Sequence, residues 1–253
     1  MAFEIDLKGK IALVTGGGRG IGAAIAEALS GAGALSVIAS RTEGEIAAVA
    51  DRIRSAGGAA DAIPFTVSGE SAGALVGEVI ERHGALDVLV HAAGNQVRKP
   101  TLEFSLEDFD RVLDVHLRAA FALSKAAVSH MVEAGAGGSI ILIGSMTSEH
   151  LGHPTTVAYN VAKAGLLGLT RTLAVEFASA KVRANAILPG YISTRQASEV
   201  IETPERRALT ARTPMSRYGM PSELGALAVL LASNHASYIT GEAIAVDGGW
   251  SVA

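Results

Sequence analysis

The chain has 253 residues, of which 49% are hydrophobic and 18% are charged, and its formal net charge is −4. That length and apolar content can bury a substantial core, which excludes an intrinsically disordered chain. The slightly acidic balance argues against nucleic-acid and anionic-membrane partners, and the absence of cysteine excludes disulfides and thiolate metal sites.

Short apolar segments alternate with longer helical ones along the chain. The predicted strands cover residues 10–16, 35–40, 60–65, 86–94, 138–145, 182–190 and 242–249. The predicted helices cover residues 21–33, 43–58, 71–84, 106–134, 156–178 and 222–232. Strands that are apolar throughout belong in a parallel sheet covered on both faces. The sequence therefore predicts a single α/β domain over residues 1–253, a Rossmann-type doubly wound parallel sheet of about seven strands with helices on both faces.

The least regular stretch lies late in the chain. Residues 189–221 hold four prolines and mixed charges. Long irregular connections in compact domains often carry function, so we predict an excursion from the sheet at about 190–220 that forms a lid over the substrate.

Two features bear on location. No apolar run reaches the roughly 18–20 residues that span a bilayer. The first ten residues also lack the basic and apolar regions of a signal peptide. We therefore expect a cytoplasmic protein with no membrane partner.

A glycine-rich segment, "TGGGRGIG", follows the first predicted strand and opens the first helix. Gly16, Gly20 and Gly22 permit a tight turn and a close approach of the backbone to a phosphate at the helix N-terminus. Glycines after a strand can also form a simple turn. Their position at the first strand–helix junction favours a dinucleotide site.

The end of the second strand predicts which dinucleotide binds. A site that prefers NAD usually has an acidic residue there for the ribose 2′-hydroxyl. This chain has Ser40, Arg41 and Thr42 instead, and Arg19 in the glycine loop adds a second guanidinium group. Arginine binds phosphate through paired hydrogen bonds, which favours NADP(H). The alternative is that both arginines are solvated surface residues.

Tyr159 and Lys163 are four positions apart in a predicted helix, so their side chains share one face. An ammonium group beside a phenol favours the phenolate and so lowers the pKa of the tyrosine towards working pH. Such a pair could serve as an acid–base device, and its alternative is a solvated pair on the helix surface.

Together these motifs resemble those of the short-chain dehydrogenases/reductases over essentially the whole chain. The matching segments are Thr15-Gly16-x-x-x-Gly20-x-Gly22, "AAG" at 92–94, "IGS" at 143–145, Tyr159-x-x-x-Lys163, "PGYIST" at 189–194 and "VDGGW" at 246–250. Each segment is short, but their order and spacing together are specific to the family.

The resemblance implies a role for each matching residue. Tyr159 would be the general acid in reduction, Ser145 would bind the substrate oxygen, and Lys163 would contact the nicotinamide ribose. The residues implied to bind the cofactor, Tyr159 and Lys163 included, are Thr15, Gly16, Gly18, Arg19, Gly20, Ile21, Gly22, Ser40, Arg41, Thr42, Ala93, Gly94, Tyr159, Lys163, Pro189, Gly190, Ile192 and Thr194.

The chain departs from the family pattern at three positions. His116 stands where the family usually has a catalytic Asn that holds a helix kink and a water, and a neutral His could hold the same water. We therefore include His116 among the catalytic residues, with a merely packed helix histidine as the alternative. His91 replaces an Asn that braces the sheet, and Thr66 replaces an Asp that meets the adenine.

The segment at 92–110 is similar to gluconate 5-dehydrogenases and related keto-sugar-acid reductases. Arg98 and Lys99 follow the fourth strand, and a cationic pair there suits a carboxylate, unless both point to solvent. The predicted substrate-binding residues are Arg98, Ser145, His150, Tyr159 and Tyr191. The alternatives are a 3-oxoacyl thioester reductase, such as the acyl-carrier-protein type, and a non-catalytic dinucleotide-binding regulator.

The sequence also bears on metal binding and on assembly. His150 and His153 lie in a loop that contains glycine and proline rather than on a helix, so we predict pocket histidines and no metal site. The family resemblance implies a homotetramer, paired through the helices at 106–134 and 156–178 and through the C-terminal strands.

Overall fold

The computed structural model describes residues 5–149, 152–194 and 204–253. The strands are β1 (Ile11–Thr15), β2 (Leu35–Ser40), β3 (Ala59–Pro64), β4 (Val88–His91), β5 (Gly138–Ile143), β6 (Val182–Pro189) and β7 (Ala243–Val246). The helices are α1 (Gly20–Gly31), α2 (Glu43–Ser55), α3 (Ala72–His83), α4 (Leu106–Leu113), α5 (Ala119–Ala134), α6 (Val157–Phe177), α7 (Pro204–Arg212) and α8 (Pro221–Ala232).

The seven strands form one parallel sheet in the order β3-β2-β1-β4-β5-β6-β7. Leu13 of β1 pairs with Val37 of β2 on one side and with Leu89 of β4 on the other. Successive strands are added outwards from β1 to β3 on one side and from β4 to β7 on the other, so the strand order switches between β1 and β4. Such a switch point opens a crevice at the carboxyl ends of the strands. The predicted doubly wound fold is confirmed.

Helices cover both faces of the sheet. Buried residues of α1, α2 and α8 pack on one face, and those of α3, α5 and α6 pack on the other. Small residues allow these layers to come close: a Cβ atom on Gly225 of α8 would lie only 2.7 Å from the Ala28 Cβ of α1. The alanine and glycine in the composition are thus used for tight helix packing.

The predicted helix at 106–134 is two helices joined by a π-helical turn at Asp114–Arg118. Across this turn the Ala119 N–H bonds to the Asp114 carbonyl, five residues back. Such turns are rare and occur often at functional sites. His116 sits in the middle of the turn.

The late segment that the sequence predicts to be irregular contains α7, and an isolated bridge pairs Ile192 with Gly219. Residues 195–203, the centre of the predicted lid, lie outside the described residues, so the lid stays a prediction. In the described part of the chain, no helix combines the length and the apolar content that crossing a membrane requires.

Candidate active site

The predicted site residues meet at the carboxyl edge of the sheet, where two adjoining clefts open. The first cleft, of about 850 Å³, runs over the glycine loop and the ends of β2 and β4. The second, of about 620 Å³, lies over the ends of β5 and β6 and the start of α6. Residues at the switch point, including Ala92 and Gly94, line both.

The glycine loop forms the floor of the first cleft. Gly16 has a φ of +71°, and a Cβ atom there would lie 2.6 Å from the Ala93 nitrogen. A Cβ atom on Gly22 would overlap the Gly16 carbonyl oxygen. Only glycine therefore allows the loop to turn against β4 and present the first residues of α1 to the cleft.

The rim at the end of β2 carries the polar groups that the sequence predicts. The Ser40 hydroxyl is buried, faces Gly18, and has no hydrogen-bond partner among the described residues. The guanidinium groups of Arg19 and Arg41 likewise form no ion pair with any residue that the structure describes. Glu45 also lines this rim. A hydroxyl without a hydrogen-bond partner, on the same rim as two guanidinium groups, fits an adenosine ribose that carries a 2′-phosphate.

Most residues predicted to bind the cofactor line one of the two clefts. Thr15 does not line either cleft. Its side chain is completely buried, and its hydroxyl lies 2.9 Å from His91 Nδ1. The last side chain of β1 thus points into the molecule, and a role for Thr15 in cofactor binding stays a prediction. Thr66 and its neighbours Phe65 and Val67 line the far end of the first cleft.

Ser145 and Tyr159 face each other in the second cleft. Ser145 begins a short 3-10 turn, where its Oγ accepts a hydrogen bond from the Thr147 N–H at 3.2 Å. That contact holds the hydroxyl at the end of β5 and leaves its O–H available to donate to a group in the cleft that Tyr159 also lines. The serine and the tyrosine are thus placed to share one substrate oxygen.

Lys163 lies under the tyrosine, one turn further along α6. Its Nζ is 5.6 Å from the centre of the Tyr159 ring and donates to the Ile143 carbonyl at 2.5 Å. The side chain is almost fully buried, and this desolvation lowers the pKa of Lys163 to about 7. The lysine charge therefore titrates near neutral pH.

In the chain without its cofactor, burial determines the direction of the Tyr159 pKa shift. Burial raises the pKa of Tyr159 above its ordinary value of 10.0, and the hydrogen bond from Ser145 offsets only part of this. Desolvation is the larger cause, because burial penalises the charged phenolate. Lowering the phenol pKa needs a further positive charge.

His116 completes the group of buried polar side chains. Its ring packs edge-on against Tyr159 with centroids 5.3 Å apart. Nε2 lies 2.7 Å from the Asn95 carbonyl oxygen, while Nδ1 is buried without a partner among the described residues. Burial and the nearby Lys163 lower the pKa of His116 to about 3. The neutral ring thus bonds to the backbone of Asn95, just after β4, and leaves one buried nitrogen without a partner.

The cationic pair predicted to bind substrate is split by the fold. Arg98 lines the second cleft, and its Nε donates to Gln96 Oε1 at 3.1 Å. Lys99 instead bonds to the Asp108 carboxylate at 2.5 Å and does not line the cleft. Tyr191 lines the cleft as predicted, and His150 lies outside the described residues.

Several cleft residues escaped the sequence analysis as contributors to the site. They include Glu45, Gln96, Thr147 and Tyr218. His153, predicted as a pocket histidine, lines the second cleft, and its Nδ1 lies 2.8 Å from the Pro154 carbonyl oxygen. That carbonyl can only accept, so in the neutral ring Nδ1 carries the proton and Nε2 is an acceptor. No cluster of three or more potential metal ligands occurs in the described ranges.

Comparison with known proteins agrees with this geometry. The profile of a family described as enoyl-(acyl carrier protein) reductase matches residues 16–251. The chain belongs to the short-chain dehydrogenase/reductase family. As a member, it is an oxidoreductase that uses a nicotinamide cofactor and acts on alcohol or ketone groups. The resemblance predicted from the sequence motifs is thereby confirmed.

Relatives within the family differ in their substrates. The chain is 40% identical to 3beta-hydroxysteroid dehydrogenase 1 of Eggerthella lenta, over 98% of this chain and 95% of that protein. It is 35% identical to 2-dehydro-3-deoxy-D-gluconate 5-dehydrogenase of Escherichia coli, over 97% and 96%. A gluconate 5-dehydrogenase from Burkholderia cenocepacia, solved with NADP and tartrate, superposes with a TM-score of 0.90 at 36% identity, covering 99% of this chain and 98% of that one.

Proposed function

We propose that this short-chain dehydrogenase/reductase uses NADP(H) to interconvert a secondary alcohol and a ketone on a sugar acid or polyol. The observation that carries the proposal is the convergence of Ser145, Tyr159 and Lys163 in one cleft that adjoins the glycine loop, with the Lys163 ammonium 5.6 Å from the centre of the Tyr159 ring. This arrangement can hold one oxygen atom between two hydroxyl groups and move a proton to it.

The preference for the phosphorylated cofactor is argued from the rim of the first cleft. Arg41 and Arg19 would hold the 2′-phosphate, and the orphaned Ser40 hydroxyl would donate to it. Glu45 opposes this binding through its negative charge, but two guanidinium groups outnumber it. When bound, the cofactor supplies or accepts the hydride and, in its oxidised form, adds a positive charge to the site.

The chain's own residues perform the proton chemistry. In reduction the Tyr159 phenol donates its proton to the forming alkoxide, and the Ser145 hydroxyl stabilises the same oxygen. Lys163 and the free Nδ1 of His116 lie behind the tyrosine, where they can return a proton to it from solvent. In oxidation the same groups move the proton in the opposite direction.

The substrate class is argued from the polar side of the second cleft. Arg98 lines it and can bind a carboxylate, and His153 presents an acceptor nitrogen suited to a substrate hydroxyl. A sugar acid carries both groups. Two relatives that act on sugar acids or were solved with one, as their names state, support this choice.

The first test is the oxidation of NADPH, with NADH in parallel, over a panel of carbonyl compounds. The panel holds a 5-keto sugar acid, a neutral ketose, a 3-ketosteroid and a 3-oxoacyl thioester. We expect turnover of the sugar acid with NADPH, and a loss of about 10²–10⁴-fold in Tyr159→Phe. Turnover of the thioester or the steroid alone would overturn the substrate. Cofactor binding with no turnover of any carbonyl would favour the non-catalytic regulator.

Matched variants separate the two cationic sites. Arg98→Gln should raise KM for the acid at least about tenfold while leaving KM for a neutral ketose unchanged. Arg41→Gln should raise KM for NADPH by a similar factor without changing that for NADH. If neither variant discriminates between its paired ligands, the assignments of these arginines are wrong.

We also propose that the chain forms a homotetramer, one contact of which uses the outer faces of α5 and α6. These faces form an apolar groove of about 400 Å³, lined by Phe121, Val128, Val132, Leu173 and Phe177 among others. More than half of the Phe121 side chain is exposed there, and contiguous apolar surface of this kind marks an interface. A second copy of the chain would bury it.

A further inference from the structure

The π-helical turn before α5 leaves one backbone carbonyl without its usual helical partner. In an uninterrupted α-helix the Ala119 N–H would bond to the Val115 carbonyl, four residues back. Here that N–H bonds to Asp114 instead. The Val115 carbonyl lies 3.1 Å from His91 Nε2, at the end of β4. The imidazole of His91 therefore satisfies the carbonyl that the turn has freed.

This contact determines the protonation of the whole His91 ring. A carbonyl can only accept, so Nε2 carries the proton and Nδ1 is an acceptor. Nδ1 lies 2.9 Å from the Thr15 hydroxyl, which must then be the donor. Thr15, His91 and Val115 form a hydrogen-bonded bridge from β1 through β4 to the π-turn. Thr15 and His91 are completely buried, so water cannot replace either contact.

The bridge ends beside a residue of the active site. Val115 is followed directly by His116, whose ring contacts Tyr159 and bonds to Asn95. Thr15 is followed directly by Gly16, in the glycine loop. We propose that His91 is a positioning residue, which holds the π-turn open through Val115 and so aims the His116 ring at Tyr159. This inference rests on the proposed function only where His116 is given a role in turnover.

Three variants test the bridge in the full-length enzyme. His91→Leu removes both hydrogen bonds, whereas His91→Gln keeps an amide N–H that can reach the Val115 carbonyl. Thr15→Val removes only the outer bond. For each, kcat and KM are measured with the carbonyl compound that the wild type reduces fastest, the Kd for NADPH by fluorescence, and folding by urea titration.

We expect His91→Leu to lower kcat at least about tenfold, with KM and the Kd for NADPH within about twofold of the wild type. His91→Gln should recover most of that loss. In a His116→Ala background, His91→Leu should lower kcat by less than about twofold, because the two residues act on one step. A full additional loss in that background, or no difference between the leucine and glutamine variants, would overturn the proposal.

A spectroscopic readout keeps this test separate from that of the proposed function. Histidine-ring ¹⁵N NMR should show the Nε2–H tautomer for His91, and the His116 ring signals should shift in His91→Leu but not in His91→Gln. Unchanged His116 signals in His91→Leu would overturn the bridge even in an active enzyme. If the wild type reduces no carbonyl, the proposed function fails and the spectra alone decide on the bridge. If His91→Leu does not fold, the wild-type tautomer decides: an Nε2–H ring at His91 supports the bridge, and an Nδ1–H ring would overturn it.

Discussion

Individual charges in the second cleft are determined by burial more than by pairing. Lys163 and His116 are buried together, and each loses proton affinity through desolvation and, for the histidine, through the lysine charge. Tyr159 shifts the other way, because its charged form is the deprotonated one. Burial therefore shifts all three groups towards their neutral forms.

Lys163 should make stability rise with pH above neutrality. Its pKa is about 7 in the folded chain and 10.5 as the ordinary value, so between these values the unfolded chain binds more protons. The free energy of unfolding should then rise by up to about 1.4 kcal/mol per pH unit from pH 7 towards pH 10. Urea titrations at several pH values measure this slope, and Lys163→Met should remove it.

The exposed Lys8 provides the matched control. Lys8→Met should leave the slope unchanged, because its side chain is already in solvent. An equal slope in the wild type and in Lys163→Met would mean that the buried lysine does not titrate in this range.

The location of a site residue could be predicted where a motif determines the backbone conformation. It could not be predicted where the side chain can point either into the cleft or away from it. Thr15 stands in the glycine motif, yet its side chain points into the interior and contacts His91. Lys99 follows Arg98 directly, yet it bonds to Asp108, nine residues further along, and does not line the cleft. Neither contact leaves a signal in the local sequence.

At the scale of elements, the π-turn matters most. It sits between α4 and α5, where the sequence predicts an unbroken helix, and it turns the His116 ring towards the backbone of Asn95. A periodicity of 3.6 residues cannot reveal one inserted residue in a helix of this length. The other predicted helices and strands agree with the observed ones to within a few residues at their ends, since apolar runs and glycine stops mark them, whereas α7 lies in the stretch predicted to be irregular.

Gly94 should tolerate no side chain, because a Cβ atom there would overlap the His116 ring. Its φ is not in the left-handed region, so backbone strain is not the reason. We expect Gly94→Ala to lower kcat at least about tenfold by displacing the ring. Steady-state kinetics measure the effect.

Gly77 in α3 is the matched control for this variant. It is exposed, and nothing lies within 4 Å of the position that its Cβ would take. Gly77→Ala should leave kcat unchanged and stabilise the protein by about 0.5–1 kcal/mol, since alanine is the better helix former. Full activity in Gly94→Ala would contradict the assigned contact.

For the molecule as a whole, two buried histidines predict a loss of stability in mild acid. The pKa values of His91 and His116 are both lowered from 6.5 to about 3, mainly by burial. Between these values the unfolded chain binds more protons, so stability falls as the pH drops below 6.5. Each ring contributes up to about 1.4 kcal/mol per pH unit.

Urea unfolding midpoints measured between about pH 4.5 and 6.5 report this loss of stability. The pH window lies above the range in which most carboxylates titrate, so they contribute little to the slope. His116→Asn should remove about half of the slope, because His91 remains. A slope that is the same in the variant and the wild type would assign the acid sensitivity to other groups.

The proposed assembly can be tested on the apolar face of α5 and α6. Phe121→Glu places a charge in the groove, so it should convert the wild-type oligomer to a smaller species in size-exclusion chromatography with light scattering. Ala48→Glu, an exposed position on α2, should not change the mass. A wild-type mass of 25.8 kDa would rule out the oligomer.

The sequence by itself determined the family, the doubly wound sheet, the glycine loop and the pairing of Tyr159 with Lys163, because these depend on local periodicity and on motifs of fixed spacing. Only the tertiary structure decided which polar groups meet. The bridge from Thr15 to Val115, the split of Arg98 from Lys99 and the reversed shift of the Tyr159 pKa all depend on burial. Burial is a property of the packed molecule, and it acts between residues that are distant in the chain.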